Sequence, residues 1–292
     1  MTSDDSTSGD LSPRDVFGKL TYGSYLKVPE LLDLQEPRVP GRSHDELLFI
    51  IIHQAYELWF KQILFELDTM QRLLVRGDLK EAHRLGDRVI AIFKVLVEQI
   101  HVLETMTPRD FCHFRAALTP ASGFQSVQFR EVEFVCGLKA ESYLRYLAEG
   151  SEDRERLQQR LDAPSLRDTL YDVLRRQGFS IPDAVDDEED AFEAAIRSLL
   201  PVYSETEQWF DLYQLLETLV AIDQWIGIWR YHHVRVVERI IGSKWGTGGS
   251  PGVQYLASTL SKRAFPLLWA VRSFLDEDSL FATYRAPGAI DD

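Results

Sequence analysis

From Leu47 onward, apolar residues return every three or four positions in long series, the period of an α-helix rather than the alternation of a strand. Ser43-His44-Asp45-Glu46 has the composition of a capping box, in which Ser and Glu each satisfy a free backbone N–H. It predicts a helix running to about Val75 and stopping at Gly77-Asp78, a rod of about 48 Å at 1.5 Å per residue. A second helix is expected from Leu79 to about Thr105, with Val89, Ile92, Leu96, Ile100 and Leu103 along one face. Thr107-Pro108 opens a third, which carries Phe111, Phe114 and Leu118 and breaks at Thr119-Pro120-Ala121-Ser122-Gly123. Val127-Gln128-Phe129 and Val132-Glu133-Phe134 alternate as a strand would, but a lone strand has no pairing partner, so this stretch is assigned to helix.

Ser165 to Arg176 reads as a helix capped by Ser165 and Asp168 and ended by Gly178. The acidic run Asp186 to Asp190 reads as solvated surface. Ser204-Glu205-Thr206-Glu207 is expected to open a last long helix ending at Gly242, and residues 253–274 again read helical. Short turns between long helices predict antiparallel neighbours. With no internal repeat and no linker, the expectation is an all-α, single-domain helical bundle over 15–292, preceded by a loose Ser/Asp-rich arm at 1–14.

Charge narrows the partners. Among 292 residues, 32 Lys and Arg face 46 Asp and Glu, a net charge of −14. Neither a phosphate backbone nor an anionic lipid surface attracts so acidic a chain, so no nucleic acid and no membrane are expected. The longest apolar run, Leu47 to Ile52, is far short of the ~20 residues that span a bilayer. Cys112 and Cys136 are too few for a disulfide framework or a Cys-rich zinc site. The start of the chain lacks the basic and apolar regions of a signal peptide, so a cytoplasmic, reducing location is expected.

Four features carry candidate chemistry. His53 lies in a helix that is apolar nearly all round, one turn after Phe49; it is either a core histidine bonded to a carbonyl or a polar group on an aromatic wall. His232-His233 follows Trp225-Ile226-Gly227-Ile228-Trp229-Arg230-Tyr231, and adjacent helical residues diverge by about 100°, so only one of the two can enter a given site. No second histidine or carboxylate stands at zinc-enzyme spacing, whereas haem needs a single protein ligand. Arg115 follows Phe111 and Phe114, and its fork fits either an internal carboxylate or a substrate's. The run Gly242 to Gly252 has neither Walker spacing nor a dinucleotide fingerprint, since Pro251 stands where the last glycine belongs; it is a flexible connector or a loop offering N–H groups and the Thr247 hydroxyl to a ligand.

Longer stretches, read together, resemble the haem-dependent tryptophan 2,3-dioxygenase family. They are Leu20 to Leu26, His44 to Ile50, His53 to Lys61, Leu103 to Thr107, Phe111 to Arg115, Pro120 to Ser126, Trp229 to His233 and Gly246 to Gly249. The resemblance implies a helical homotetramer with one b-type haem per subunit, active as Fe(II) with O2 as co-substrate and L-tryptophan or a substituted tryptophan as substrate. By the same resemblance His233 is the axial ligand of the haem iron and His53 the histidine across from it, accepting a hydrogen bond from the indole N–H. Arg115 would pair with the substrate carboxylate and Thr247 hold the amino-acid end, with Phe49, Phe111, Ser122 and Gly123 lining the pocket. Tyr22, Tyr25 and Leu26 would come from a neighbouring subunit. Trp245 and Pro251 depart from the family pattern beside Thr247, and His232 beside His233 is unusual. The expected reaction is cleavage of the indole C2–C3 bond to N-formylkynurenine. A monooxygenase of a substituted tryptophan giving an oxindole-type product, and a non-catalytic haem sensor, are the alternatives.

Overall fold

The computed structural model describes residues 20–242, 244–247 and 252–275. The expected arm at 1–14 and Pro251 lie outside the described residues. Twelve α-helices and no strand are found among them, which bears out the all-α expectation.

Two short helices, α1 (Tyr22–Leu26) and α2 (Val28–Leu32), lead into the long α3 (Glu46–Arg76) and α4 (Leu79–Leu103). Gly77 ends α3 with φ 81°, a left-handed conformation that glycine adopts without Cβ strain, so the chain reverses within two residues. Thr107 caps α5 (Pro108–Leu118), and α6 (Val127–Val135) confirms that the alternating stretch is helical. Next come α7 (Glu152–Asp162), α8 (Leu166–Arg176) with the Ser165–Asp168 capping box, α9 (Glu189–Ser204) and the long α10 (Phe210–Ile241). Helices α11 (Val253–Ser258) and α12 (Pro266–Val271) complete the described chain.

Three helices make the frame. α3 buries Ile52, Tyr56, Phe60, Ile63, Leu67 and Met70, while α4 buries Leu85, Val89, Phe93, Leu96 and Ile100. α10 adds Leu215, Leu219, Ile222, Ile226 and Trp229. The Tyr56 hydroxyl donates to the Leu96 carbonyl at 3.2 Å, fixing α3 against α4. Gly86 marks the tightest approach: a Cβ there would collide with the Thr218 methyl on α10 and press on Met70 Cε at 3.2 Å. Thr218 cannot rotate away cheaply, because its Oγ1 donates to the Gln214 carbonyl at 2.9 Å and meets His83 Nδ1 at 2.6 Å. Gly86→Ala therefore loses ~1–3 kcal/mol by overpacking even though alanine is the better helix former. Thermal or urea unfolding measures this, and an unchanged midpoint would refute the close approach.

Several sequence expectations need correction. The Ser43–Glu46 capping box does not form: Asp45 is the N-cap without a side-chain bond, and Glu46 instead accepts from the N–H groups of Arg38 and Val39. A carboxylate aimed back at two free N–H groups of the entering loop wins over one at the helix end. The last long helix starts at Phe210, since Ser204 closes α9 by donating to Leu200 O. Residues 253–274 are two short helices and a 3-10 turn rather than one helix. Asp186 is more than solvated surface, accepting from Tyr171 Oη and pairing with Arg167. α3 is buried on one side only, for Leu47, Ile51, Leu58 and Phe65 are exposed. Helix α7 escaped the apolar pattern because Leu157 is its single buried residue; ion pairs from Arg160 to Asp68 and Glu131 hold it in place.

Both cysteines are free thiols, Cys112 exposed and Cys136 buried. Burial favours the neutral form and pushes the Cys136 thiol up to about 12. Native protein should therefore consume one equivalent of a thiol reagent per chain at pH 8, at Cys112, and a second only in denaturant. Two rapid equivalents would show that the interior around Cys136 opens.

Candidate functional site

The middle of α3 and the end of α10 enclose a cavity of about 500 Å³, with α5, α6, the 118–126 turn and α11 supplying the remaining walls. That volume falls in the ~300–1,000 Å³ range of small-molecule and cofactor sites. His53 from α3 and His233 from α10 both line it, and so do Phe49, Phe111, Ser122, Gly123 and Thr247. Seven of the residues singled out from the sequence thus meet in one place, although they span nearly two hundred positions of the chain.

His53 satisfies both of its sequence readings at once. Its Nδ1 lies 2.7 Å from the Phe49 carbonyl, one helical turn back, and a carbonyl can only accept. Nδ1 therefore carries the proton and Nε2 keeps its lone pair as an acceptor. Burial lowers the pKa, so the ring is neutral near pH 7. Phe49 packs on the ring with centroids 4.0 Å apart and also touches Phe111 and Phe114, giving an aromatic wall.

His233 is held neutral more strongly. Burial, aided by the neighbouring His53 and Arg130, pushes its pKa down to about 4. Its ring stacks on Trp229 one turn earlier, 5.2 Å between centroids and 17° between planes. No hydrogen bond to another described residue occupies the imidazole, so a lone pair is available to a metal, which needs the neutral form. His232 diverges as helix geometry requires: its ring meets His101 at 5.5 Å and borders a separate cavity of about 400 Å³ beside Gly227 and Trp269. Only His233 shares a cavity with His53.

The donor set and shape fit a haem better than a bare ion. The described residues contain no cluster of three His, Cys, Asp or Glu that could chelate a metal. One available imidazole, a second across the space and a mainly aromatic and aliphatic lining are what an iron macrocycle requires. The Trp229 indole N–H is buried and finds no partner among the described residues, a further sign that the cavity is shaped for an occupant.

Polar groups gather at the mouth. Thr247 Oγ1 donates to the Ala121 carbonyl at 2.5 Å, joining the glycine-rich loop to the 118–126 turn. Arg115 stands at the rim rather than in the cavity wall. Its Nη2 donates to the Trp245 carbonyl at 2.6 Å, and its buried Nε has no partner among the described residues. Trp245 itself is 67% exposed. Tyr22, Tyr25 and Leu26, on α1, do not reach the cavity and are 78%, 71% and 44% exposed. Sequence reasoning passed over Tyr56, Phe60, Phe129, Arg130, Glu133 and Arg230 as wall residues. The available signal was Arg130 and Glu133 standing three apart on an otherwise apolar segment.

Comparison with known proteins agrees with this arrangement. The sequence model of the family described as tryptophan 2,3-dioxygenase matches residues 8–182 and 188–275. A protein of Herpetosiphon aurantiacus named tryptophan 2,3-dioxygenase is 48% identical over 261 residues, covering 88% of this chain and 98% of that one. Proteins of the same name from Anaeromyxobacter sp. strain K and Nocardioides sp. strain ATCC BAA-499 are 46% and 45% identical, again over 88% of this chain and 96% and 95% of theirs.

Proposed function

The chain belongs to the tryptophan 2,3-dioxygenase family, and from that premise we propose that it is a haem-dependent oxygenase of L-tryptophan, inserting both atoms of O2 at the indole C2–C3 bond to give N-formylkynurenine. The observation that carries the reading is the meeting of two neutral imidazoles, His53 and His233, across one apolar cavity between the two long helices. When bound, a b-type haem in the Fe(II) state supplies the binding and activation of O2.

The protein's part is placement. His233 offers the lone pair that holds the iron. His53, whose Nδ1–H is fixed on Phe49, presents Nε2 to accept the indole N–H and so sets the orientation of the ring. Phe49 and Phe111 enclose its apolar faces and exclude water. As an acceptor rather than a strong base, His53 tunes the rate without being indispensable. The zwitterionic end needs a fixed cation and polar donors, which Arg115 at the rim, Thr247 and the Ser122–Gly123 turn supply. Arg115 reaches the carboxylate by exchanging its present bond to the Trp245 carbonyl. A charged acceptor forms the stronger hydrogen bond, so the exchange is favoured.

Assembly completes this picture. Leu47, Ile51, Leu58 and Phe65 are exposed and fall within about 40° of one line down α3, counting 100° per residue. Such a stripe marks a protein interface. Together with the exposed Tyr22, Tyr25 and Leu26 it supports a homotetramer in which α1 of one copy closes the site of the next. A cytoplasmic location accords with the two free thiols.

Incubation of the haem-loaded protein with tryptophan under ¹⁸O2, read by product mass, tests the proposal. Two labelled atoms in N-formylkynurenine are expected. One labelled atom in an oxindole-type product would make the enzyme a monooxygenase, and absence of product with a normal Soret band would make it a sensor.

A further inference from the structure

Opposite the aromatic wall, the cavity is bordered by a buried ionic group that none of the preceding chemistry uses. Arg130 and Glu133 come from α6, Arg230 from α10, and Tyr255 and Thr259 from the α11 region. Arg130 Nη1 donates to Glu133 Oε2 at 2.6 Å and to Tyr143 Oη at 2.9 Å. Arg230 Nη2 donates to the other Glu133 oxygen, and its Nη1 to the Thr259 carbonyl at 3.4 Å. The side chains of Arg130, Arg230 and Glu133 are at most 9% exposed. Tyr143 and Tyr255 share a short hydrogen bond through their hydroxyls, and burial holds the Tyr143 phenol above its ordinary range, so it stays protonated.

Charge and hydrogen bonding are both incomplete here. Two guanidinium cations face one carboxylate, and no other described carboxylate lies within 4 Å of either. Asp223, two turns back on α10, spends its Oδ2 on the N–H groups of Ala264 and Phe265 and on the Trp269 indole. The Nε groups of Arg130 and Arg230 are both buried without a partner among the described residues. A surplus buried charge costs several kcal/mol of lost solvation, and each unsatisfied buried donor adds to that. A self-sufficient Arg–Glu–Arg triad would close on itself, whereas this one borders a cavity with a positive charge and two donors to spare.

We infer that Arg130 and Arg230, joined through Glu133, form a carboxylate anchor for the propionates of the haem. The inference rests on the haem reading above, to which it adds an orientation. A macrocycle held by its metal alone can rotate about the iron–imidazole axis, and carboxylates fixed on this side pin it. Tyr255, bordering the cavity from α11 beside Arg130, adds a hydroxyl donor to the same end.

The test compares iron protoporphyrin IX with its dimethyl ester, in which both propionate charges are removed, by Soret titration of the haem-free full chain and by transfer rate to a haem scavenger. The unmodified protein should bind the diester about 10- to 100-fold more weakly, and Arg130→Gln, with its helical circular dichroism retained, should bind the two within about twofold. Equal binding of the two porphyrins by the unmodified protein overturns the anchor and leaves the haem reading intact. Binding of neither overturns both. An Arg130→Gln variant that keeps the porphyrin difference but loses its preference for tryptophan over tryptamine would assign the cluster to the substrate carboxylate, and this too overturns the inference. The comparison on the unmodified chain does not depend on any variant folding.

Discussion

His233→Ala should yield a folded, colourless protein that shows no Soret band and no oxygenase turnover. The loss should be near complete, because His233 is the only histidine on its side of the cavity, and His53, across the space, has its Nδ1 tied to Phe49. His232 cannot substitute: it points to a different cavity, where its ring rests on His101. His232→Ala should therefore keep normal haem content, and this pair of variants separates ligation from general damage. The fold should survive, since no hydrogen bond to another described residue is lost and the helix is fixed by Leu215, Leu219, Ile222 and Ile226. Added imidazole should restore part of the Soret band by filling the space left by the ring. Normal haem content in His233→Ala would move the ligand elsewhere and remove the basis for the proposed function.

Arg115→Ala should weaken tryptophan binding by ~1.5–3 kcal/mol, the worth of a hydrogen bond to a charged group. That is a rise in Kd of about 10- to 150-fold. Tryptamine, which lacks the carboxylate, should bind the variant and the unmodified protein alike. The contrast matters because Arg115 also donates to the Trp245 carbonyl and so helps hold the loop that carries Thr247. If tryptophan and tryptamine weaken equally, the residue acts through the loop and the carboxylate role is lost. Arg115→Lys should recover only part of the affinity, since an ammonium keeps the charge but not the planar fork.

The two expected effects differ in kind. One side chain supplies a bond for which nothing nearby can substitute; the other contributes an increment to a site with several donors. Both residues were legible in the sequence, His233 from its place after an aromatic run and Arg115 from following two phenylalanines, yet each had a bland reading of equal standing there. For His53 the structure dissolves the choice. The same ring makes the carbonyl bond of a core histidine and, because that bond fixes the proton on Nδ1, leaves an acceptor free.

Local rules alone determined a good deal. Apolar residues at 3.6-residue period, Gly77 in the left-handed conformation, Thr107 before Pro108 and the Ser165–Asp168 pair each act within a few residues, so the helices they bound were readable from the chain. Where a boundary depended on a distant partner, the reading failed. Glu46 turned to the N–H groups of residues 38 and 39, and α7 is held by ion pairs to Asp68 and Glu131 rather than by an apolar stripe.

The sequence by itself settled an acidic all-α chain, the extent of its longest helices and the residue types able to serve a haem and a zwitterion. Tertiary structure alone decided which of two adjacent histidines shares a cavity with His53, that Arg115 stands at the rim, and that Arg130, Glu133 and Arg230 meet with a charge left over. The reason is physical: helix formation is governed by neighbours three and four residues away, whereas burial, and with it the cost of an unpaired charge or donor, is set by elements up to a hundred residues apart that only packing brings together.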